Sequence, residues 1–251
     1  MKLLDILSNK WYTIGIKNER EKQMKSILIS IRPEYVGKIL NGEKTLEIRS
    51  TVPKEWKEYL NRKTSIKPEP SKWYIYCTNG YMLYDLRNED YLELKNNFTL
   101  DITHKSNKYL SSNPPMLNRR VVAKFTLNEI NYLPSIRYKA NGAFYQYNKV
   151  SDEILKKSCL TQEQILNYTN GKDLYALHIE DLKIYDKPKE LSEFSHYIPN
   201  NKCPKKECGI DCEDCMSYDG EHETCLALYY SHWQIKRPPQ SWMFVESLEG
   251  K

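Results

Sequence analysis

The chain has 251 residues, 40% hydrophobic and 28% charged, which excludes a disordered protein and allows one elaborated domain or a domain with a small insert. A net charge of +5 and a pI of about 8.6 permit phosphate contacts but fall short of the strongly basic balance, with a pI above about 9, of dedicated nucleic-acid domains. No apolar run reaches the roughly 18 residues of a membrane span, and the opening Met1-Lys2-Leu3-Leu4-Asp5-Ile6-Leu7 is too short and polar for a signal peptide, so a cytoplasmic protein is expected.

Residues 1–25 read as an N-terminal appendage, with an apolar stripe at Leu3, Leu4 and Leu7 and then mostly polar residues. The domain pattern starts just after Met24, over residues 26–247. Ser26 to Ile31 is rich in β-branched residues and predicts a buried strand. Pro33 opens a helix over 33–41, in which Tyr35, Val36, Ile39 and Leu40 recur at helical spacing, and Gly42 closes it. Lys44 to Ser50 alternates, with Leu46 and Ile48 on one face and Thr45, Glu47 and Arg49 on the other. Residues 51–70, polar and Pro-bearing, read as loop. Trp73 to Thr78 predicts a strand that buries the Cys77 thiol, and residues 79–119 read as irregular, broken by Asn113-Pro114-Pro115.

Arg120 to Ile130 predicts a long strand. Residues 151–169 carry helix signals, with Ser151 as a cap, a capping box from Thr161 to Gln164, and Gly171 as the end. Leu174 to Tyr185 predicts one or two strands, and Ser241 to Glu246 a closing strand. Without regular βαβ alternation, the elements point to an α+β fold, a small mixed β-barrel with short helices at its rim.

The segment Gly42-Glu43-Lys44-Thr45-Leu46-Glu47-Ile48-Arg49 is the strongest candidate site. It gathers two cations, a carboxylate and a hydroxyl just past a tight turn. Arg49 offers a fork for phosphate or a base edge, Glu47 accepts from an exocyclic amine, and Lys44 beside Glu47 can activate a water. The alternative is a solvated strand edge carrying an ordinary ion network.

Ile29-Ser30-Ile31-Arg32-Pro33-Glu34-Tyr35, with Lys38 to Arg49, resembles the opening of an ASCH domain, especially in the long ASCH proteins of bacteriophages and mobile elements. Tyr74 to Thr78, Val121 to Phe125, His178 to Asp186 with Pro188 and Leu191 to Phe194, and Arg237 to Trp242 extend the resemblance. It implies a PUA-like barrel with a cleft beside the first helix that binds RNA, single-stranded nucleic acid or a nucleotide. The strand carrying Tyr76 and Thr78 faces that cleft, which adds both to the ligand-binding candidates. Some small members are amidohydrolases of N4-acylated cytidine that use a Lys, a following Thr and a later Glu. Lys44 matches the Lys, but Glu47 falls where the Thr belongs, which argues against hydrolysis; if there is catalysis, Lys44 and Glu47 carry it.

Arg237-Pro238-Pro239 stiffens the approach to Gln240, Ser241 and Trp242. Held at a pocket rim, Gln240 and Ser241 read a base edge and Trp242 stacks; the alternative places Trp242 in the core. Residues 200–228 form a Cys-rich insert with Cys203, Cys208, Cys212, Cys215 and Cys225. Cys212 and Cys215 have the spacing of half a zinc knuckle, and a structural zinc would hold together an insert with few apolar residues of its own. The alternative is a loop of reduced or disulfide-bonded cysteines.

Three functions stay open: a nucleotide or nucleic-acid binding module, an amidohydrolase acting on a modified nucleoside, and a factor that binds a host protein through the insert and the appendage.

Overall fold

The computed structural model describes residues 25–87, 98–100, 115–141, 143–148, 150–169, 171–197 and 234–248. The appendage up to Met24 and the insert with its five cysteines lie outside the described residues.

The chain runs through β1 (Lys25–Ile31), α1 (Pro33–Leu40), β2 (Leu46–Arg49), α2 (Lys54–Leu60), β3 (Ser71–Cys77), β4 (Leu83–Asp85) and β5 (Phe98–Leu100). It continues through β6 (Val121–Leu127), β7 (Ile130–Leu133), β8 (Ser135–Ala140), β9 (Ala143–Asn148), α3 (Asp152–Ser158), α4 (Gln162–Thr169), β10 (Leu174–His178), β11 (Glu180–Lys189) and β12 (Trp242–Glu246). The fold is mixed α+β. Five strands form one sheet in the order β11-β6-β3-β1-β12, and three form another in the order β2-β10-β7. Only β1 and β3 pair in parallel within these two sheets. Among the described residues the ladders are separate sheets and hairpins, and no closed barrel is shown among them.

The two faces of the large sheet explain the continuous apolar run of β1. Ile27, Ile29 and Ile31 join Trp73, Ile75, Phe125 and the inner side of α1 in the main core. Leu28 points the other way, into a second cluster with Tyr74, Tyr76, Val121 and Phe194. A strand buried on both faces loses the period of two that a half-solvated strand shows. In β2, Leu46 and Ile48 pack into a third cluster with Ile165 and Leu174. Glu47 and Arg49 are nonetheless buried too, so all four residues of β2 are shielded.

The sequence reading of 51–70 as loop is corrected by α2. Pro53 stands at its N-cap, and Trp56, Tyr59 and Leu60 recur at helical spacing. Trp56 is 3% exposed, so tertiary burial of one large ring stabilises a seven-residue helix whose charged residues had masked its period. The long strand of 120–130 is two strands, β6 and β7, in different sheets. The helical stretch of 151–169 is broken at Cys159, which takes the left-handed conformation (φ 53°) and ends α3. Gly42 has φ 77° at the turn after α1, as its position there requires.

Candidate functional site

Lys44, Glu47 and Arg49 form one buried cluster, with residue exposures of 2%, 6% and 8%. The turn after α1 delivers the first of them: the amides of Glu43 and Lys44 both donate to the Lys38 carbonyl (2.9 and 3.1 Å), which fixes where the Lys44 side chain starts. Its Nζ donates to the Ser158 carbonyl at 2.7 Å and lies 3.3 Å from Glu47 Oε2. Ser158 is the last residue of α3, so the ammonium sits at the negative end of a helix as well as beside a carboxylate. The face of Tyr35 covers it, with the ring centroid 5.3 Å from Nζ.

Glu47 is held from its other side by Arg49, at 2.9 Å from Oε1. Arg49 also donates to the Ser30 carbonyl at 2.6 Å. Its Nε is buried and has no hydrogen-bond partner among the described residues. The three charges sum to +1, because one carboxylate faces two cations. Burial pushes the Tyr35 phenol above its ordinary pKa, and the nearby Glu34 and Glu47 carboxylates push it further, so it stays a neutral donor at the mouth of the cluster.

Ser30 organises a second approach to the same place. Besides its carbonyl's bond to Arg49, its amide donates to the Ser241 carbonyl at 2.9 Å and its hydroxyl to the Pro239 carbonyl at 2.7 Å. The stiff Pro238-Pro239 segment is thereby tied to the strand residue that receives Arg49.

The remaining sequence candidates separate into three placements. Thr45 is exposed and serves through its backbone, donating to Lys157 O at 2.9 Å and accepting from Ile179 N at 3.0 Å. Tyr76 is 5% exposed within the second core cluster, and Thr78 is half-buried with its hydroxyl 3.2 Å from Asn79 O. Gln240 is exposed; Ser241 and Trp242 are half-buried. Trp242 donates from Nε1 to the Thr51 hydroxyl (3.1 Å), and its ring lies 6.4 Å from Trp73 and 5.4 Å from Phe244, at the edge of the main core. The metal candidates Cys203, Cys208, Cys212, Cys215 and Cys225 lie outside the described residues.

Three participants escaped the sequence reading. Tyr35 stood in the helical pattern as a packing residue, and Ser30 looked like any strand position. Ser158 is 114 positions from the lysine it receives, and a backbone carbonyl leaves no signal in residue identity. Two grooves of about 540 Å³ each lie elsewhere, both beside α2; one is lined by Ile27, Trp56, Ile66 and Phe244. The first mixes apolar residues with lysines and glutamates, the second is lined by Tyr59, Leu60, Arg62 and Lys63, and neither holds a buried polar set like the Lys44 cluster, so chemistry rather than cavity size singles out the cluster.

No protein-family profile matches the chain, and no curated protein does. Among solved structures the chain is similar to ASCH from Zymomonas mobilis, with 13% identity and a TM-score of 0.40 over 87% of this chain and 86% of that one. It is also similar to a Tyr-to-Phe variant of that protein, with 15% identity and a TM-score of 0.35 over 67% of this chain and 77% of that one.

Proposed function

We propose that the chain is an ASCH-type module that binds RNA, a short single strand or a nucleotide at the Lys44–Glu47–Arg49 cluster. The observation that carries this reading is the Arg49 Nε–H, a buried donor with no acceptor among the described residues, inside a cluster of net positive charge. Buried donors are nearly always satisfied, and an unmet one costs about 1–3 kcal/mol. An anionic or carbonyl oxygen brought by a ligand would supply the missing acceptor, with Tyr35 and Lys44 beside it. The PUA-like barrel and the bacteriophage or mobile-element kinship belong to this reading through the residues of the Ile29 to Arg49 segment.

Calorimetric titration with nucleotides and short RNAs tests it. Arg49→Lys keeps the charge but removes Nε and the fork, and Tyr35→Phe removes only a hydroxyl; each is expected to weaken binding at least about tenfold, the loss of one good hydrogen bond to a charged group. Unchanged affinity in both variants, with their melting temperatures preserved, would end this reading.

One observation favours a second reading, an amidohydrolase of acylated cytidine. Lys44 Nζ lies 3.3 Å from Glu47 in a buried setting, the kind of pair that moves a proton. Both Glu47 oxygens are engaged by cations, however, and β2 itself carries no hydroxyl side chain, with Glu47 standing where the resemblance expects a Thr. Release of acetate from N4-acetylcytidine, abolished by Lys44→Ala, would promote this reading over binding alone. A structural zinc at the cysteines of residues 200–228 is part of the proposal and rests on their spacing.

A further inference from the structure

We propose that Glu129, His178 and Glu180 form a binding site for a divalent first-row transition-metal ion, apart from the Lys44 cluster and independent of its reading. Each contributes one ligand atom, and the three atoms lie within 4.8 Å of one another. The three come from a corner where the two large sheets meet. Glu129 stands in the turn between β6 and β7, His178 ends β10 and Glu180 begins β11. The His178 amide donates to the Glu129 carbonyl at 3.1 Å, so the first two side chains leave from hydrogen-bonded backbone. Asp181 follows with φ 48°, and the β6–β11 register slips between Glu180 and Lys183. A bulge of that kind re-aims the side chain beside it.

Two further features bear on what this trio could hold. His178 Nε2 lies 2.6 Å from Asn131 Oδ1 on the neighbouring strand β7. The contact holds the ring in one orientation, with the same Nε2 3.9 Å from Glu129 Oε1; in the tautomer that donates Nε2–H to Asn131, the lone pair lies on Nδ1. Donation of one ring N–H to an outer carbonyl is the usual support of a metal-bound imidazole. The second feature is charge. Among the described residues Glu129 and Glu180 have no lysine or arginine partner, and the ion-pair neighbour of Glu129 is His178 itself, at 3.9 Å. Two carboxylates without a lysine or arginine partner carry −2 between them, the complement of a divalent ion. A mixed N/O set of three ligands suits Mn²⁺, Fe²⁺ or Zn²⁺ and leaves coordination positions for water or a ligand oxygen.

The corner adjoins the strand of the Lys44 cluster: His178 pairs with Leu46, and Ile179 N donates to Thr45 O.

Mn²⁺ is the probe, because the thiolates of the Cys-rich insert favour zinc over manganese. Electron paramagnetic resonance titration of the full chain should show one Mn²⁺ site, and Mn²⁺ should raise the melting temperature. Glu129→Gln, Glu180→Gln and His178→Gln should each weaken that site by about tenfold or more and abolish the thermal shift. The Glu129 side chain is 56% exposed, so its variant is expected to melt like the parent without metal and provides the comparison even if a strand variant folds poorly. Absence of a Mn²⁺ site at millimolar metal, or a site whose affinity and thermal shift are unchanged in Glu129→Gln, would overturn the proposal.

Discussion

At the scale of single residues, the cluster around Glu47 is held by charge in a place water scarcely reaches. Its carboxylate bridges Lys44 and Arg49, and the exposures of all three side chains are at or below 10%. Glu47→Gln keeps the shape but leaves two buried cations without their counter-charge. It is expected to cost about 3–5 kcal/mol, read as a lowered urea midpoint, the magnitude for breaking a buried pair from one side. A solvated network at the same positions would cost under about 1 kcal/mol.

Two other groups, the buried Cys77 and the half-buried Tyr132, set an alkaline limit. Burial pushes the Cys77 thiol up to about 12; burial, followed by its hydrogen bond to Asp173, takes the Tyr132 phenol to about 12 as well. Both folded values are raised, so the protonated forms stabilise the fold fully below the unfolded values of about 9 and about 10. That contribution is lost as pH rises from there toward about 12, because the unfolded chain ionises first. Stability measured by urea between pH 9 and 12 should therefore fall, and a Cys77→Ala, Tyr132→Phe double variant should show a shallower fall.

At the scale of elements, α3 matters more than its seven residues suggest. Ser151 caps it, accepting from the Ile154 amide at 3.3 Å, and its last carbonyl receives Lys44. Ser151→Ala is expected to cost about 1 kcal/mol, as other lost N-caps do, and to show it in chemical denaturation. Ligand binding should weaken in the same variant, because fraying of α3 loosens the carbonyl that fixes Lys44. The elements also show where sequence patterns are readable. The cap at Ser151 and the glycine stop at Gly42 are local chemistry, and both are found where the residues put them. Helix α2 was missed because two lysines and two glutamates and the preceding Pro53 look like loop, and only the burial of Trp56 against the main core decides otherwise.

At the scale of the molecule, two large sheets share the main core, and no helix among the described residues is long and apolar enough to cross a membrane. A net charge of +5 spread along the chain suits a short or small ligand. Binding of a single phosphate should lose affinity with salt in a log–log slope of about −1 or shallower, whereas an extended duplex contact would give a slope several times steeper. If the five cysteines hold structural zinc, a chelator should lower the melting temperature and native mass spectrometry should show one zinc per chain. An unshifted melt and a metal-free mass would remove zinc from the account.

The sequence by itself determined the α+β character, the first strand, helix and turn, and the identity of the Lys44, Glu47 and Arg49 set, because caps, glycine conformations and alternation act within a few residues. It left open whether that set was solvated or buried, since β2 alternates in either case. Tertiary structure alone decided that Leu46 and Ile48 pack toward α3 and α4 while Glu47 and Arg49 are shielded. It also brought Ser30, Tyr35 and Ser158 to the cluster and drew Glu129 to His178 and Glu180. These partners lie far apart in sequence or act through backbone atoms, and a sheet ladder joins positions whose spacing no local rule encodes.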